Sequence, residues 1–261
     1  MGADRFGVDA SEWSTPLEHV HRLTRVYGPR VPSLPMAFRV DERAAEFREI
    51  DRFEDGVGWL AHPDETMQRA SHALAFDDDV WVFDPVDAEG LDDLLAEFGA
   101  VAGVVVTFDR HKRDAATVAN RHDVPVYLPD FFEGVAEELD APVVRFGAEL
   151  ADTGLETIVL HTSRLWQEVA LYDPERGTLL VPESVGTAEY FCTREERLGV
   201  HPMLRAVPPR ELEGVTPERI LVGHGEGIQT AAESALRDAL GGSRRRLPRL
   251  YAANLRLLAP F

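Results

Sequence analysis

The chain has 261 residues, 44% of them hydrophobic, and 46 Asp and Glu residues against 27 Lys and Arg give it a net charge of −19. This length fits one large domain, or one domain with extensions. So acidic a surface repels nucleic acids, and nonspecific binding to DNA or RNA is not expected. The single cysteine, Cys192, excludes an internal disulfide and a cysteine-based zinc cluster.

The first part of the chain has mixed character and is assigned to an N-terminal extension, residues 1–46. A helix is predicted around Leu17–Tyr27, followed by a proline-punctuated stretch. A second, charged helix is predicted over Asp41–Arg52. The main domain is expected to cover residues 47–240, and an arginine-rich C-terminal end is expected to cover 241–261.

From Gly56 onward, short apolar runs alternate with segments whose apolar residues recur at helical spacing. Two strand-like runs separated by the acidic turn Asp77–Asp79 predict a hairpin. Apolar residues at helical spacing predict a helix over Gly90–Phe98, and the run Gly103–Phe108 is typical of a strand buried on both faces. Later segments continue the pattern and indicate an α/β fold: a helix at 114–122, a strand at 124–129, a helix around 131–139 and a strand at 142–147.

The second half predicts strands joined directly to one another. A strand at Thr157–His161 precedes a β-hairpin formed by residues 168–172 and 178–183, whose turn contains Asp173-Pro174 and Gly177. A short strand then leads into Gly223-His224-Gly225, and a terminal helix is predicted from about 228 to 240. Neither a dinucleotide-binding nor a phosphate-loop glycine motif is present.

Two polar segments follow apolar strands and are the candidates for chemistry. Residues 107–114, Thr-Phe-Asp-Arg-His-Lys-Arg-Asp, come directly after the most apolar strand, where ligands bind in open α/β folds. The alternative is that Asp109 only caps the next helix and that the cations are solvated. His224 lies between two glycines that permit close approach of backbone or ligand, although it could be a loop histidine without a role.

The succession of these segments resembles the metallo-β-lactamase fold family. It comprises an opening hairpin ending in Asp84 or Asp87, the His- and Asp-rich loop, His161-Thr162 leading into a hairpin, an acid after that hairpin, and Gly-His-Gly before a terminal helix. The resemblance covers roughly residues 47–235 and implies a four-layer αββα sandwich of hydrolases.

The resemblance also implies a reduced set of metal ligands. If His111 matches the second histidine of the family loop His-x-His-x-Asp-His, then Asp109 takes the first position, Arg113 the aspartate position and Asp114 the last. The histidine ligand before the hairpin falls at Arg164 or Leu165, and neither can bind a metal. The acid after the hairpin falls at Glu183, and the final histidine falls at His224. The candidate ligands are therefore Asp109, His111, Asp114, Glu183 and His224.

The resemblance leaves two functions open. In the first, zinc or another divalent metal activates water for attack on an ester, thioester or amide of a small molecule, and Asp114 or Asp109 orients that water. In the second, catalysis is lost, and Arg113 pairs with Asp109, Asp114 or Glu183 in a structural or anion-binding network. Catalytic roles are thus assigned to Arg113 and Asp114. An unrelated doubly wound α/β domain is a third alternative, which the adjacent strands of the second half argue against.

The remaining expectations concern other histidines, location and partners. His72 is expected at the edge of the core, while His19, His21, His62, His122 and His201 are expected to be ordinary surface residues. Lys112 is the only lysine, and with the acid excess this suggests a high-salt cytoplasm. Without an apolar stretch long enough to span a bilayer or a basic leader, the chain is expected to be cytoplasmic and not membrane-bound. A small-molecule ligand is expected, and the basic C-terminal end is compatible with a homodimer.

Overall fold

The computed structural model describes residues 37–257, with side chains to residue 255. Its larger sheet has seven strands that lie side by side in chain order. The first four are antiparallel and the last four parallel, which requires crossovers between the later strands. The strands are β1 (Arg48–Phe53), β2 (Gly56–Leu60), β3 (Ala70–Phe76), β4 (Asp79–Phe83), β5 (Ala100–Val105), β6 (Val126–Pro129) and β7 (Val143–Phe146). Helices α1 (Leu91–Ala96) and α2 (Ala115–His122) form two of the crossovers.

The second half of the chain forms a smaller sheet, a strand pair and a long helix. The elements are β8 (Glu156–Ser163), β9 (Trp166–Asp173), β10 (Thr178–Val181), the pair β11 (Val185–Gly186) and β12 (Gly199–Val200), β13 (Arg219–Val222) and α3 (Ala232–Leu257). The four-stranded sheet has the order β13-β10-β9-β8, with β13 parallel to β10 and the other pairs antiparallel. The predicted hairpin is therefore β9–β10.

Three separate apolar clusters show that the two sheets and the helices form four layers. One cluster lies between the larger sheet and helices α1 and α2, one between the two sheets, and one between the smaller sheet and α3. Alternate side chains of a strand point to opposite faces, so one strand supplies two clusters. The cluster under α1 and α2 includes Val82, Leu91 and Val118. The cluster between the sheets includes Trp81, Phe83 and Leu171, and the cluster under α3 includes Leu179, Ile220 and Leu236. The architecture is the predicted αββα sandwich.

Several predicted element bounds were wrong. The charged segment predicted as a helix over 41–52 contains strand β1, and the helix predicted around 131–139 is only a 3-10 turn at Ala136–Glu138, because Gly134 has a positive φ of 77°. The terminal helix begins at Ala232 and continues past Leu240 to Leu257, so it crosses residue 241, where the C-terminal end was expected to begin. The helix predicted around Leu17–Tyr27 lies outside the described residues. Between residues 37 and 257, no helix is both long and apolar enough to cross a membrane.

Candidate metal centre

Three of the predicted ligands meet at one edge of the sandwich. The side chains of His111, Glu183 and His224 are buried, and one potential ligand atom from each lies within 4.8 Å of the other two. Oε2 of Glu183 lies 3.1 Å from Nε2 of His111 and 2.8 Å from Nε2 of His224. The two histidine rings, 113 residues apart in the chain, have centroids 5.3 Å apart.

The register of the strands explains this convergence. In the parallel pair β10–β13, Val181 lies opposite Val222, so that Glu183 and His224 each follow two residues later at the same end. His111 lies in the loop between β5 and α2, at the carboxyl end of a strand in the other sheet. The cluster therefore joins strand ends from both sheets, where ligand sites of α/β proteins usually lie.

The hydrogen bonds of each ring fix which nitrogen carries the proton. Nδ1 of His224 lies 2.8 Å from the carbonyl oxygen of Met67, an atom that can only accept, so this nitrogen donates. Nδ1 of His111 lies 3.2 Å from Oδ2 of Asp84 and donates to that carboxylate. In the neutral form, both rings consequently direct the lone pair of Nε2 at the same oxygen of Glu183.

A third histidine faces the other oxygen of Glu183. His201 is buried, and its Nδ1 accepts the backbone N–H of Met203 at 3.2 Å. Its Nε2 therefore carries the proton in the neutral ring and faces Oε1 of Glu183 at 3.3 Å. Nε2 atoms of two rings thus face one oxygen of Glu183, with a hydrogen bond to that of His224, while Nε2 of the third ring faces the other oxygen.

The charges of the cluster follow from burial and from these contacts. Burial lowers the pKa of His201 to about 4 and also lowers the pKa of His224, which favours neutral rings. Burial opposes ionisation of Glu183, but positive charge on His224 and His111 and hydrogen bonds from their N–H groups hold its pKa well below the ordinary value. The pKa of Asp84 is likewise lowered by the N–H of His111 and by Thr107 despite burial. The 2.8 Å contact between Nε2 of His224 and Oε2 of Glu183 is a hydrogen bond, so a proton lies between these two atoms where a metal cation would otherwise lie.

These residues fit a divalent metal ion of the zinc type. Two nitrogens and one carboxylate oxygen are three protein ligands, as in catalytic zinc sites that keep a fourth position open. Ligand atoms about 2.0–2.2 Å from a tetrahedral zinc lie roughly 3.3–3.6 Å apart, slightly more than the separations from Glu183. Asp84 supplies the carboxylate partner that usually orients a metal-binding histidine from behind.

The structure places Arg113 at the cluster but corrects its expected partners. Its guanidinium donates to the carbonyl oxygens of Ala70 (2.5 Å), Asp84 (2.8 Å) and Gly223 (3.1 Å). It also donates to Nε2 of His111 at 3.3 Å. The predicted pairing with Asp109, Asp114 or Glu183 was wrong: among the described residues, Arg113 forms no ion pair. Burial lowers the pKa of Arg113 to about 10, which leaves it charged near neutral pH.

The other two predicted ligands lie outside the cluster. Oδ2 of Asp109 accepts the backbone N–H of Gln167 at 3.3 Å, so that its carboxylate joins the loop to β9. Oδ2 of Asp114, just before α2, accepts the backbone N–H of Asp87 at 2.8 Å. Both carboxylates satisfy backbone donors, which is the common alternative use of such residues.

The glycines around His224 have a structural explanation. A Cβ on Gly223 would overlap the carbonyl oxygen of Pro182, because β13 and the segment before Glu183 run close together here. Gly225 has a φ of 92°, in the left-handed region that favours glycine. The predicted close approach is therefore between two backbone segments, and it brings Glu183 against His224.

Comparison with known structures decides the fold. The DIM-1 metallo-β-lactamase exposed to ceftazidime aligns with a TM-score of 0.56 over 78% of this chain and 99% of that chain, at 12% identity. TMB-1 aligns with a TM-score of 0.54 over 78% and 99%, at 13% identity. A metallo-β-lactamase from Pontibacter korlensis aligns with a TM-score of 0.53 over 76% and 99%, also at 13% identity.

The chain has the metallo-β-lactamase fold. No protein-family model matches its sequence, and no curated protein matches it significantly. At identities this low, the likeness concerns architecture alone, and function has to be argued from the residues of the site.

Two of the positions at which this chain departs from the family pattern have clear structural consequences. Arg164 and Leu165, where the resemblance places a histidine ligand, form the turn between β8 and β9, and Leu165 is 83% exposed. Arg113, at the aspartate position, directs a guanidinium to His111. The residues that remain for a metal are His111, Glu183 and His224.

Sequence reasoning missed two residues that build the centre. His201 was predicted to be a surface residue, yet it contacts Glu183 directly. Glu168, in β9, is fully buried, and its Oε1 accepts the backbone N–H groups of Glu183 (3.1 Å) and Ser184 (2.7 Å). A charged residue inside an otherwise apolar strand was the available signal for Glu168, whereas nothing in the spacing around His201 distinguished it.

Aromatic rings separate the centre from solvent. Phe191 is fully buried and stacks on His224, with ring centroids 5.2 Å apart. The ring of Trp166 packs edge-on against His201 at 5.0 Å and also lines a surface groove with Arg110, Lys112 and other residues. A polar centre with apolar walls strengthens electrostatic interactions inside it.

Proposed function

We propose that the chain is a metal-dependent hydrolase in which His111, Glu183 and His224 bind one divalent metal ion. The observation that carries the proposal is the convergence of three potential ligand atoms within 4.8 Å of one another. Both Nδ1 atoms are engaged by other acceptors, so the Nε2 atoms are the ones that face Glu183. A divalent cation would replace the proton of the His224–Glu183 hydrogen bond, and zinc suits nitrogen and carboxylate ligands.

Each surrounding residue has a definite part in this proposal. Asp84 and the Met67 carbonyl hold the rings of His111 and His224 in the tautomer that can bind a cation. His201 faces the second oxygen of Glu183 and positions it. A bound divalent ion would lower the pKa of a water molecule and act as a Lewis acid toward a carbonyl group. Asp109 and Asp114 have no part in it, because their carboxylates bind backbone N–H groups.

The substrate class proposed is an ester, thioester or amide of a small molecule. The fold is shared with proteins named metallo-β-lactamases, which are metal-dependent amide hydrolases by name. The surface groove beside Trp166 is a place where such a molecule could lie, because the Trp166 ring contacts both the groove and His201.

Metal analysis of the purified protein tests the proposal. After mild dialysis we expect one zinc, iron or manganese ion per chain, lost in both His111→Ala and His224→Ala. His122→Ala is the matched control, because His122 bonds Asp92 away from the centre and its loss should leave the metal content unchanged. Chromogenic esters, thioesters and amides then test hydrolysis by the metal-loaded protein. A wild-type chain that binds no added metal would overturn the proposal.

One observation favours a second function, a catalytically silent protein. Arg113 brings a fixed positive charge next to the centre and donates to the same Nε2 of His111 that a metal needs. If the guanidinium replaces the metal, the centre is structural or binds an anion. A metal-free wild-type chain with full thermal stability would support this alternative.

A further inference from the structure

The guanidinium of Arg113 joins the two sheets at the candidate metal centre. Ala70 begins β3 and Asp84 follows β4, both in the larger sheet, whereas Gly223 follows β13 in the smaller one. Arg113 donates to a carbonyl oxygen of each. Backbone carbonyls buried at strand ends need donors, and this side chain supplies one to each of the three; the Gly223 oxygen also accepts the backbone N–H of Ala70 at 2.9 Å.

The position of Arg113 is fixed by the backbone as well as by these bonds. Its φ is 40°, in the left-handed region that a residue with a side chain rarely adopts. Asp84, which accepts at its carbonyl oxygen, has a φ of 46°. Such conformations persist where the surrounding contacts hold them. The guanidinium therefore cannot swing away to make room for a metal ion without losing three hydrogen bonds.

We propose that Arg113 is a resident cation of the centre that keeps its affinity for a metal ion below what His111, Glu183 and His224 alone would give. The inference rests on the proposed function for the ligands it names. Arg113 acts in two ways: its N–H competes for the lone pair of His111 Nε2, and its charge repels a dication at Glu183. Arg113 thus lowers the affinity for a metal ion, and its hydrogen bonds keep the two sheets linked when no metal is bound.

Metal titration of Arg113→Met tests the inference without an activity assay. Methionine approximates the length of the arginine stem but brings neither charge nor donor. In competition with a chromophoric zinc chelator, we expect the variant to bind zinc at least tenfold more tightly than the wild type. We also expect the melting temperature of the metal-free variant to fall. Arg121→Met is the matched control, because Arg121 pairs with Asp87 and Asp92 outside the centre. The zinc affinity of this variant should equal that of the wild type.

The outcomes separate this inference from the proposed function. If the wild type binds no zinc while Arg113→Met does, the proposed function fails and the role of Arg113 stands. If the wild type binds zinc and Arg113→Met binds it no more tightly, the role of Arg113 is overturned. If neither chain binds zinc, both fail. Should Arg113→Met not fold, Arg113→Lys keeps the charge without the planar fork. Its zinc affinity should stay within about threefold of the wild type, and a tenfold gain would contradict the inference.

Discussion

Nε2 of His201 lies 3.3 Å from Oε1 of Glu183, the oxygen that faces away from His111 and His224. Because the Met203 N–H fixes the tautomer, the neutral His201 ring turns its protonated Nε2 toward Oε1, while Oε2 faces His111 and His224. The carboxylate thus has a polar N–H beside the oxygen that lies away from the candidate ligands.

Removal of the His201 ring should weaken metal binding. Loss of a group that orients a ligand typically costs about 10–100-fold in metal affinity, so we expect that loss for zinc in His201→Ala. Gln can place an amide N–H near the position of Nε2, and His201→Gln should therefore bind within a few-fold of the wild type. Competition with a chromophoric chelator measures both. Equal affinities of His201→Ala and the wild type would show that His201 does not position Glu183.

Gly223→Ala should separate the two strands that carry Glu183 and His224. The added methyl overlaps the Pro182 carbonyl oxygen, which is backbone and cannot rotate away. We expect a loss of about 2 kcal/mol or more in the free energy of unfolding, together with weaker zinc binding. Gly241→Ala is the control, since nothing lies within 4 Å of its added methyl on α3, and it should stabilise the chain by roughly 0.5–1 kcal/mol. Urea denaturation measures both, and an unchanged Gly223→Ala would contradict the close approach.

Glu168 should make the stability of the chain depend on pH. Burial raises its pKa from an ordinary value of 4.5 to about 7, so the folded chain holds this proton more tightly than the unfolded chain. The corresponding stabilisation is complete below about pH 4.5 and is lost as the pH rises through about 7, for a total of roughly 3 kcal/mol.

The variant Glu168→Gln removes this titration and keeps the side-chain volume. The stability of the wild type minus that of the variant should therefore decrease between pH 4.5 and 8, as measured by urea denaturation at each pH. A difference that is constant, or that grows with pH, would show that Glu168 is ionised throughout.

High salt should stabilise the folded chain. A net charge of −19 causes self-repulsion in the compact state, and salt screens it. We expect the melting temperature to rise by several degrees between about 0.1 and 2 M KCl, which corresponds to about 1–2 kcal/mol. Sucrose of equal osmolality separates screening from preferential exclusion. A melting temperature that falls with KCl would contradict the composition-based expectation of a high-salt environment.

The parts of the fold that the sequence predicts are those with a clear apolar period. Strands β2 to β5 and the β9–β10 hairpin follow directly from apolar runs and turn residues. Strand β1 was missed because it lies at the edge of the sheet, where charged residues such as Arg48 and Glu49 are exposed and give no strand period. The length of α3 was missed because Gly241-Gly242 normally ends a helix, whereas here Gly242 leaves room for the side chain of Arg246.

Only the site residues that follow the ends of strands could be predicted from the sequence. Residues after β5, β10 and β13 could be expected to meet, and His111, Glu183 and His224 do. The sequence could not show that Asp109 and Asp114 turn toward backbone donors, because the choice depends on which N–H groups the fold leaves unpaired. The contact between His201 and Glu183 depends on the packing of the segment after β12, which no local pattern reveals.

A crystal structure of the protein grown with zinc, with anomalous scattering recorded at the zinc edge, shows directly whether the three residues bind a metal. We expect one strong anomalous peak bounded by Nε2 of His111, Nε2 of His224 and Oε2 of Glu183. A map with no peak at that point, or with zinc only at surface carboxylates, would contradict this expectation.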